Sequence, residues 1–530
     1  MHIKLLGRFF KKDKIAFCLL FFAGVLFRLI HITLPWWGDQ DSNGAFLTFG
    51  AYNILKYGIF KTKLGLMISA GLSDPSRFIY YFHHPPLIVS WLAIFVAVLG
   101  YSETTARIAA IVLSLTASMF IFLTARRITD RSYSILALFF ALLIPLDVYY
   151  GRLPTHFLMS YAFVCVSIYL YIRWIEQGGG GWFAGLIIFF VLASLSDWIA
   201  YFLPVSCVIY LIIADRRILQ RRFWEHLFLL LLPFGCFFLH LCHAYLAGGI
   251  DTVADLFNAG EERVFFVDFF SRIVPLVERI VYWTCLYFTL PLIVLSLVWA
   301  VLAIKSWKLK KPPHNCEKQK FLLPIIPLTM SLLFFIAFPA FASVHVVSFF
   351  LLTPFFVFTS IHTLRYLSEI LEKRKWIHTT ILLFVILGFL SHSLFLITLR
   401  HSQQGGYLAA YATSIAMARN SDYCDTILTS FKINPWYYSF YADRSVVMGV
   451  DTIEKFNDEI EKSGYNVDLF MAVDNGLFLE MFPIIVENKS HFSDKNGFGI
   501  DGPLFDMLNE NYQPSRSGFL VIYNLNEEKD

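Results

Sequence analysis

The chain has 530 residues, of which 57% are hydrophobic, 18% aromatic and only 15% charged. Soluble domains carry about 25% charged residues, so the composition excludes an ordinary soluble protein and predicts a polytopic α-helical membrane protein. The net charge of +4 is small, and its Lys and Arg fall in short connections rather than on one face, so no surface for nucleic acid is expected.

The N-terminus is basic (Lys4, Arg8, Lys11, Lys12, Lys14) and runs into an apolar stretch at about 15–35. No small-residue cleavage site follows, so this is expected to be an uncleaved first span. A long polar connection, residues 36–104, comes next. It opens with Trp36-Trp37-Gly38-Asp39-Gln40-Asp41, continues with an amphipathic run Ala45–Lys56, and contains Phe82-His83-His84-Pro85-Pro86-Leu87. The two prolines fix an extended entry and start a helix at Leu87. Leu87–Gly100 has a length more typical of interfacial or re-entrant helices and is expected to insert only halfway; the alternative is that it spans and another short segment does not.

Further apolar segments of spanning or near-spanning length lie near 105–125, 133–150, 157–175, 182–197, 198–214, 224–246, 283–304, 321–340, 344–364 and 377–398. Eleven membrane spans are therefore expected. Basic clusters sit at the N-terminus, at Arg126-Arg127 with Arg131, at Arg216-Arg217 with Arg221-Arg222, at Lys305 to Lys320 and at Arg365 to Lys375. Placing all of them inside predicts a cytoplasmic N-terminus and an external C-terminus. The Cys residues have no metal or redox spacing. Cys18, Cys165, Cys207, Cys236, Cys242 and Cys285 read as small buried hydrophobes, and Cys316 and Cys424 stand far apart.

Residues 1–399 are expected to form the membrane domain and residues 400–530 a small external α/β domain. In the second part short apolar strands (Thr426–Ser430, Val446–Met448, Leu469–Val473, Phe519–Tyr523) alternate with helical runs such as Ile453–Lys462.

Ionisable residues recur at the expected outer ends of the spans, where they are costly and therefore functional candidates. Asp39 and Asp41 form an Asp-x-Asp whose carboxylates share one side of an extended segment. Such a pair can bind a divalent cation, or one can act as base while the other orients it. The bland alternative is a solvated loop or a helix cap. His83 and His84, held by the prolines, suit a phosphate. Asp147 and Arg152 flank a span end, where Arg can clamp phosphate through its forked donors or close a loop by an ion pair. Asp197 breaks two apolar segments and can be only a turn; Glu103 starts the next span; His156 belongs to the same set. Glu261, Glu262, Arg263 and His345 read as structural.

The stretch from Asp39 to about Leu115 resembles the GT-C glycosyltransferases of the protein-mannosyltransferase and aminoarabinose-transferase type. The matching parts, in order, are the acidic run, Ala51-Tyr52-Asn53-Ile54-Leu55-Lys56-Tyr57-Gly58, His84-Pro85-Pro86-Leu87 and Gly100-Tyr101-Ser102-Glu103 with Ala106-Arg107. Beyond Leu115 the likeness is one of layout, with echoes at Gly151-Arg152 and Ser196-Asp197-Trp198. The resemblance implies a GT-C fold of about eleven to thirteen transmembrane helices. It also implies an inverting hexosyl or pentosyl transferase that takes a sugar from a polyprenyl-phosphate carrier and passes it to a lipid, glycan or protein at the external face of the membrane.

Carried over, Asp41 is the base, with Asp39 second or as its partner. His84 contacts the donor phosphate, with Arg152 and His83 assisting. Asp147, Asp197 and Glu103 are further candidates. Many relatives have adjacent Asp-Glu where this chain has Asp-Gln-Asp, and some have Lys at the place of His84. No cofactor is expected; a divalent cation at Asp39 and Asp41 is permitted but not favoured. A multi-pass inner-membrane location is expected. A flippase or transporter for lipid-linked sugars, and an O-antigen ligase or polymerase, are the competing readings. The first would show repeats or interrupted midplane helices, and the second would lack the order from Asp-x-Asp to His-Pro-Pro-Leu.

Overall fold

The computed structural model describes residues 2–36, 38, 40–71, 78–263, 269–309, 317–402, 408–422, 425–429, 435–448, 450, 452–463, 467–473, 503–517 and 520–528. Asp39, Cys316, Cys424, Ser430 and Phe519 lie outside them. The chain gathers into two compact units. One holds residues 1–32, 82–95 and 104–402, and the other holds residues 33–81, 96–103 and 403–530.

The first unit is the membrane part. Among the described residues, six helices are long and apolar enough to cross a bilayer: Glu103–Ile128, His156–Gln177, Phe223–Glu261, Lys318–Ala337, Val346–Ile370 and Glu372–Ser402. Two bent pairs reach the same length, Arg131–Leu143 with Pro145–Arg152 (55°) and Ile273–Tyr287 with Leu290–Ser306 (117°). A first helix, His2–Leu29, precedes them. Leu87–Leu99 has 13 residues. At 1.5 Å per residue that is about 20 Å, short of a hydrocarbon layer of ~30 Å. Gly180–Ser194 and Trp198–Ala214 are also shorter than a straight span. The interruption between them is Asp197, whose Oδ1 accepts the Ile199 N–H at 3.2 Å and caps the turn Trp198–Phe202. Cys18 and Cys285 are exposed, against expectation. A side chain facing lipid tails satisfies its apolar preference without burial in protein.

The interior of this unit holds polar groups in defined bonds. Asp147 is fully buried; its carboxylate accepts the Thr353 hydroxyl at 2.7 Å and the Tyr161 hydroxyl at 3.3 Å. Arg28, also fully buried, donates to the carbonyls of Gly24 and Leu142 (3.0 and 2.9 Å) and to Ser114 Oγ at 2.9 Å. Gly151 lies against this knot: a Cβ there would come within 2.4 Å of Ser114 Oγ. Only glycine lets the backbone pass so close. Asp147→Ala strands the hydroxyls of Thr353 and Tyr161 in the interior. It is expected to destabilise the protein by about 2–5 kcal/mol, read as a fall in the unfolding midpoint in detergent, whereas Asp147→Asn keeps an acceptor and loses less.

The second unit contains a five-stranded sheet. Its strands are β1 (Thr426–Thr429), β2 (Ser445–Met448), β3 (Leu469–Val473), β4 (Tyr512–Ser517) and β5 (Leu520–Glu528), in the order β2-β1-β3-β5-β4. The first three are parallel; β5 runs antiparallel to β3, and β4 antiparallel to β5. Alternation along the strands builds two faces. Ile427, Met471, Leu520 and Ile522 pack with Met417 and Tyr438 on one. Leu428, Phe470, Val521 and Tyr523 pack with Phe456, Phe505 and Leu508 on the other. Both faces are covered, as a parallel β1–β3 core requires. The helix Ile453–Ser463 matches expectation. Strand β4 was not anticipated, because it is a polar edge strand carrying Pro514.

The same unit holds the first-loop helix Asp41–Tyr57. Asn53 Nδ2 donates to the carbonyls of Met67 and Ser69 at 3.1 and 3.2 Å, closing the following loop onto it. Asp443 pairs with Lys56 at 2.9 Å and accepts the Gly71 N–H at 3.0 Å, tying the loop to the C-terminal part of the unit.

Candidate active site

The acidic run belongs to the second unit. Trp36 is fully buried, and its backbone N–H donates to the Tyr441 hydroxyl at 2.7 Å. That hydroxyl in turn donates to Glu103 Oε1 at 2.8 Å. Phe440 stands edge-on to Trp36 (6.1 Å) and against Tyr101 (4.7 Å). Burial holds the Tyr101 phenol well above its ordinary pKa, so it stays protonated and donates to the Phe440 carbonyl at 3.1 Å. Tyr441 and Phe440 thus hold the start of the acidic run from the far end of the sequence. Glu103, a candidate from the sequence, is one of the groups in this bond chain.

Asp41 is buried and is the first residue of its helix, and its Oδ2 accepts the Gly38 N–H at 2.8 Å. A carboxylate is favoured at that end of a helix by the exposed N–H groups and the dipole. The expected extended geometry does not hold. Gln40 is left-handed (φ 62°, ψ 5°) and Asp41 is already helical, so the chain is not extended at these two residues. Asp39 lies outside the described residues. Gly44, one turn into the helix, sits under the Trp36 ring, and a Cβ would approach it to 2.6 Å. Gly44→Ala is expected to cost about 1–3 kcal/mol through overpacking and to displace Trp36. A lowered unfolding midpoint and a change in intrinsic tryptophan emission are the readouts.

In the first unit the Pro-Pro motif does what its stereochemistry predicts. Leu87 N bonds to the Leu195 carbonyl at 3.3 Å, joining the motif to the break at Asp197. The consequence is a buried pair. His84 Nδ1 lies 3.0 Å from Asp197 Oδ2; the His84 side chain is 9% exposed and that of Asp197 is 0%. The His156 ring stacks on His84 with centroids 4.9 Å apart and planes 19° from parallel. The preceding residue is anchored separately. His83 Nε2 lies 2.7 Å from Asp255 Oδ2, and the Trp198 indole N–H donates to the His83 carbonyl at 2.9 Å.

His83, His84 and Asp197 line a cavity of about 210 Å³ whose walls are apolar, with Phe157, Phe334 and Phe341 prominent. The His84 ring meets Phe341 at 5.9 Å, and His345 lies on the other contact of Phe341 at 4.1 Å. One end therefore carries two imidazoles and a carboxylate and the rest is greasy. Such a shape suits a ligand with a charged head and a hydrocarbon body.

Of the residues singled out in the sequence, His83, His84, His156 and Asp197 come together. Asp147 and Arg152 belong to the same unit but do not line this cavity. Asp147 bonds to Thr353 and Tyr161. Arg152 donates to the Ile30 carbonyl and lies over the Tyr149 ring at 5.3 Å. Asp41 and Glu103 belong to the second unit. Asp255 and Tyr441 carry no local signal that marks them. Each sits in an ordinary helical stretch, and only packing reveals what it meets.

Residues 83–243 match the family model described as dolichyl-phosphate-mannose-protein mannosyltransferase. No curated protein sequence matches the chain. Among solved structures, the chain is similar to ArnT from Cupriavidus metallidurans bound to undecaprenyl phosphate, with a TM-score of 0.58 at 14% identity over 96% of this chain and 97% of that one. It is also similar to the apo oligosaccharyltransferase of Archaeoglobus fulgidus, with a TM-score of 0.60 at 10% identity over 95% of this chain and 73% of that one. A third likeness is the oligosaccharyltransferase AglB of Archaeoglobus fulgidus in complex with an inhibitory peptide and a dolichol-phosphate, with a TM-score of 0.57 at 11% identity over 96% and 74%. These likenesses show the fold: the chain is a multi-pass membrane protein of the GT-C fold, as its first-loop motifs imply.

Proposed function

We propose that this GT-C-fold chain is an inverting glycosyltransferase that moves a hexose or pentose from a polyprenyl-phosphate carrier to a lipid, glycan or protein acceptor at the external face of the membrane. The observation that carries the reading is the buried His84–Asp197 pair at the ionic end of an apolar cavity. The family match over residues 83–243 spans that motif, and two of the similar structures hold an undecaprenyl phosphate and a dolichol-phosphate.

The acceptor hydroxyl attacks the anomeric carbon from the face opposite the phosphate, and its proton passes to the Asp41 carboxylate. The C–O bond to the carrier breaks, and its electron pair leaves with the lipid phosphate. His84, backed by Asp197 through Nδ1, donates from its other ring nitrogen to a phosphate oxygen and offsets the charge that grows there. The aromatic walls hold the first isoprene units and exclude water, so the sugar is not lost to hydrolysis. No cation is required by this scheme. Asp39 is kept as the second choice for the base, and the N-terminus is taken as cytoplasmic with the sheet-bearing unit outside.

The test is mass spectrometry of lipids that co-purify with Asp41→Asn protein extracted gently from its native membrane. A bound polyprenyl-phosphate sugar, absent from an unrelated membrane protein, is expected and identifies the donor sugar. A turnover assay with that donor then separates a transferase from a flippase. Repeated absence of any isoprenoid phosphate overturns the reading.

A further inference from the structure

Three helices that begin beside basic residues also finish on them, and the finishing ends meet. The first helix is followed by His31, held at a left-handed φ of 58°. The bent pair 131–152 ends in Tyr149, Tyr150 and Arg152. The helix Lys375–Ser402 carries Arg400 and His401 in its last turn. A fourth element, Phe269–Tyr287, brings Tyr287. All of these residues belong to the first unit.

The side chains form one contiguous stack. The His31 and His401 rings meet edge to face at 4.9 Å, and His401 meets Tyr149 at 5.6 Å. Arg152 covers Tyr149, and Tyr149 meets Tyr150 at 4.8 Å. The hydroxyls of Tyr150 and Tyr287 lie 3.0 Å apart, and Arg400 donates to the Tyr287 hydroxyl and covers its ring at 5.2 Å. None of these residues lines the His84 cavity. Within the stack, both ring nitrogens of His401 are buried and make no hydrogen bond among the described residues.

Cations at helix C-termini complement the dipole and the lipid headgroups, which accounts for Arg400 alone. It does not account for two buried imidazole nitrogens that make no hydrogen bond among the described residues, because buried polar groups are almost always bonded. Nor does it explain why two guanidinium groups, two imidazoles and a hydroxyl pair converge. Forked Arg donors with phenolic and imidazole N–H and O–H groups match an anion that offers several acceptor oxygens in a tetrahedral array.

We infer that His31, Arg152, Tyr287, Arg400 and His401 form a second binding site, separate from the His84 cavity, for a phosphate group. Arg152 then serves this site and not the donor cavity. The inference stands whether or not the transferase reading holds. The phosphate can come from a lipid headgroup or from a free phosphate, and the two sources give different results below.

The experiment follows thermal unfolding of the full-length protein in detergent while inorganic phosphate, phosphatidic acid or phosphatidylcholine is titrated in. Wild type and His84→Ala are run alike, so that binding in the donor cavity is recognised and subtracted. Saturable stabilisation by phosphatidic acid, retained in His84→Ala and absent with phosphatidylcholine, is expected. Arg400→Gln and His401→Gln, each made in the His84→Ala protein, are expected to weaken it by roughly tenfold or more. Arg400→Lys keeps the charge without the fork and is expected to show a similar loss, which covers a failure of Arg400→Gln to fold. Stabilisation by inorganic phosphate as well shows that the phosphate group suffices; stabilisation by phosphatidic acid alone assigns a lipid headgroup. No response to either phosphate probe, or an equal response in the Arg400 and His401 variants, overturns the inference. Loss of all phosphate binding in His84→Ala overturns it too, while leaving the donor-cavity reading intact.

Discussion

Asp41→Asn is expected to abolish sugar transfer while the protein still folds and inserts. The amide keeps an oxygen where Oδ2 accepts the Gly38 N–H, so the turn through Gln40 and the start of the helix survive. What the amide lacks is proton affinity, and a positioned general base is worth about 10²–10⁴-fold in rate. The expected outcome is turnover down by that factor with an unfolding midpoint close to wild type. Wild-type turnover in Asp41→Asn removes Asp41 from the mechanism and moves the role to Asp39. Glu103→Gln is the useful companion. It weakens the bond from Tyr441 and is expected to lower the unfolding midpoint more than it lowers the rate per folded molecule.

His84→Ala is the second large effect, and it acts on the donor. Removing the imidazole takes away the proposed phosphate contact and also strips Asp197 of the group 3.0 Å from its carboxylate. A fully buried carboxylate that loses its partner costs about 3–5 kcal/mol. The variant is therefore expected to be less stable as well as less active. Double replacement with Asp197→Asn separates the two effects, because it removes the stranded charge. In the double variant stability is expected to recover in part while donor KM stays high and acceptor KM is little changed. Unchanged donor dependence in a folded His84 variant counts against the phosphate role.

The local features of the fold were legible because they are written in short windows. The apolar segments, the helix start after Pro85-Pro86 and four of the five strands each depend on neighbours within a few residues. Strand β4 escaped because a polar edge strand with a proline carries no such window. Cys18 and Cys285 were misplaced because an apolar run does not say whether a residue meets lipid or protein. The left-handed turn at Gln40 is not legible in the sequence because it depends on what encloses the turn, here Trp36 on Gly44 and Tyr441 on Trp36.

The candidate site divides the same way. Sequence alone marked His83, His84 and Asp197 as costly polar groups at the ends of apolar runs, since an ionisable residue beside a span stands out wherever its partner lies. It could not pair them. That His84 meets Asp197, that His83 meets Asp255, and that Arg152 joins Tyr149 near His401 rather than the His84 cavity follow from how distant helices pack. Composition and local pattern determined a polytopic helical protein with a small sheet, because burial in lipid and hydrogen-bonding of the backbone constrain every short segment separately. Only the tertiary structure decided which charges share a neighbourhood, because ionic and hydrogen-bonded contacts act over a few ångströms and depend on packing between segments far apart in the chain.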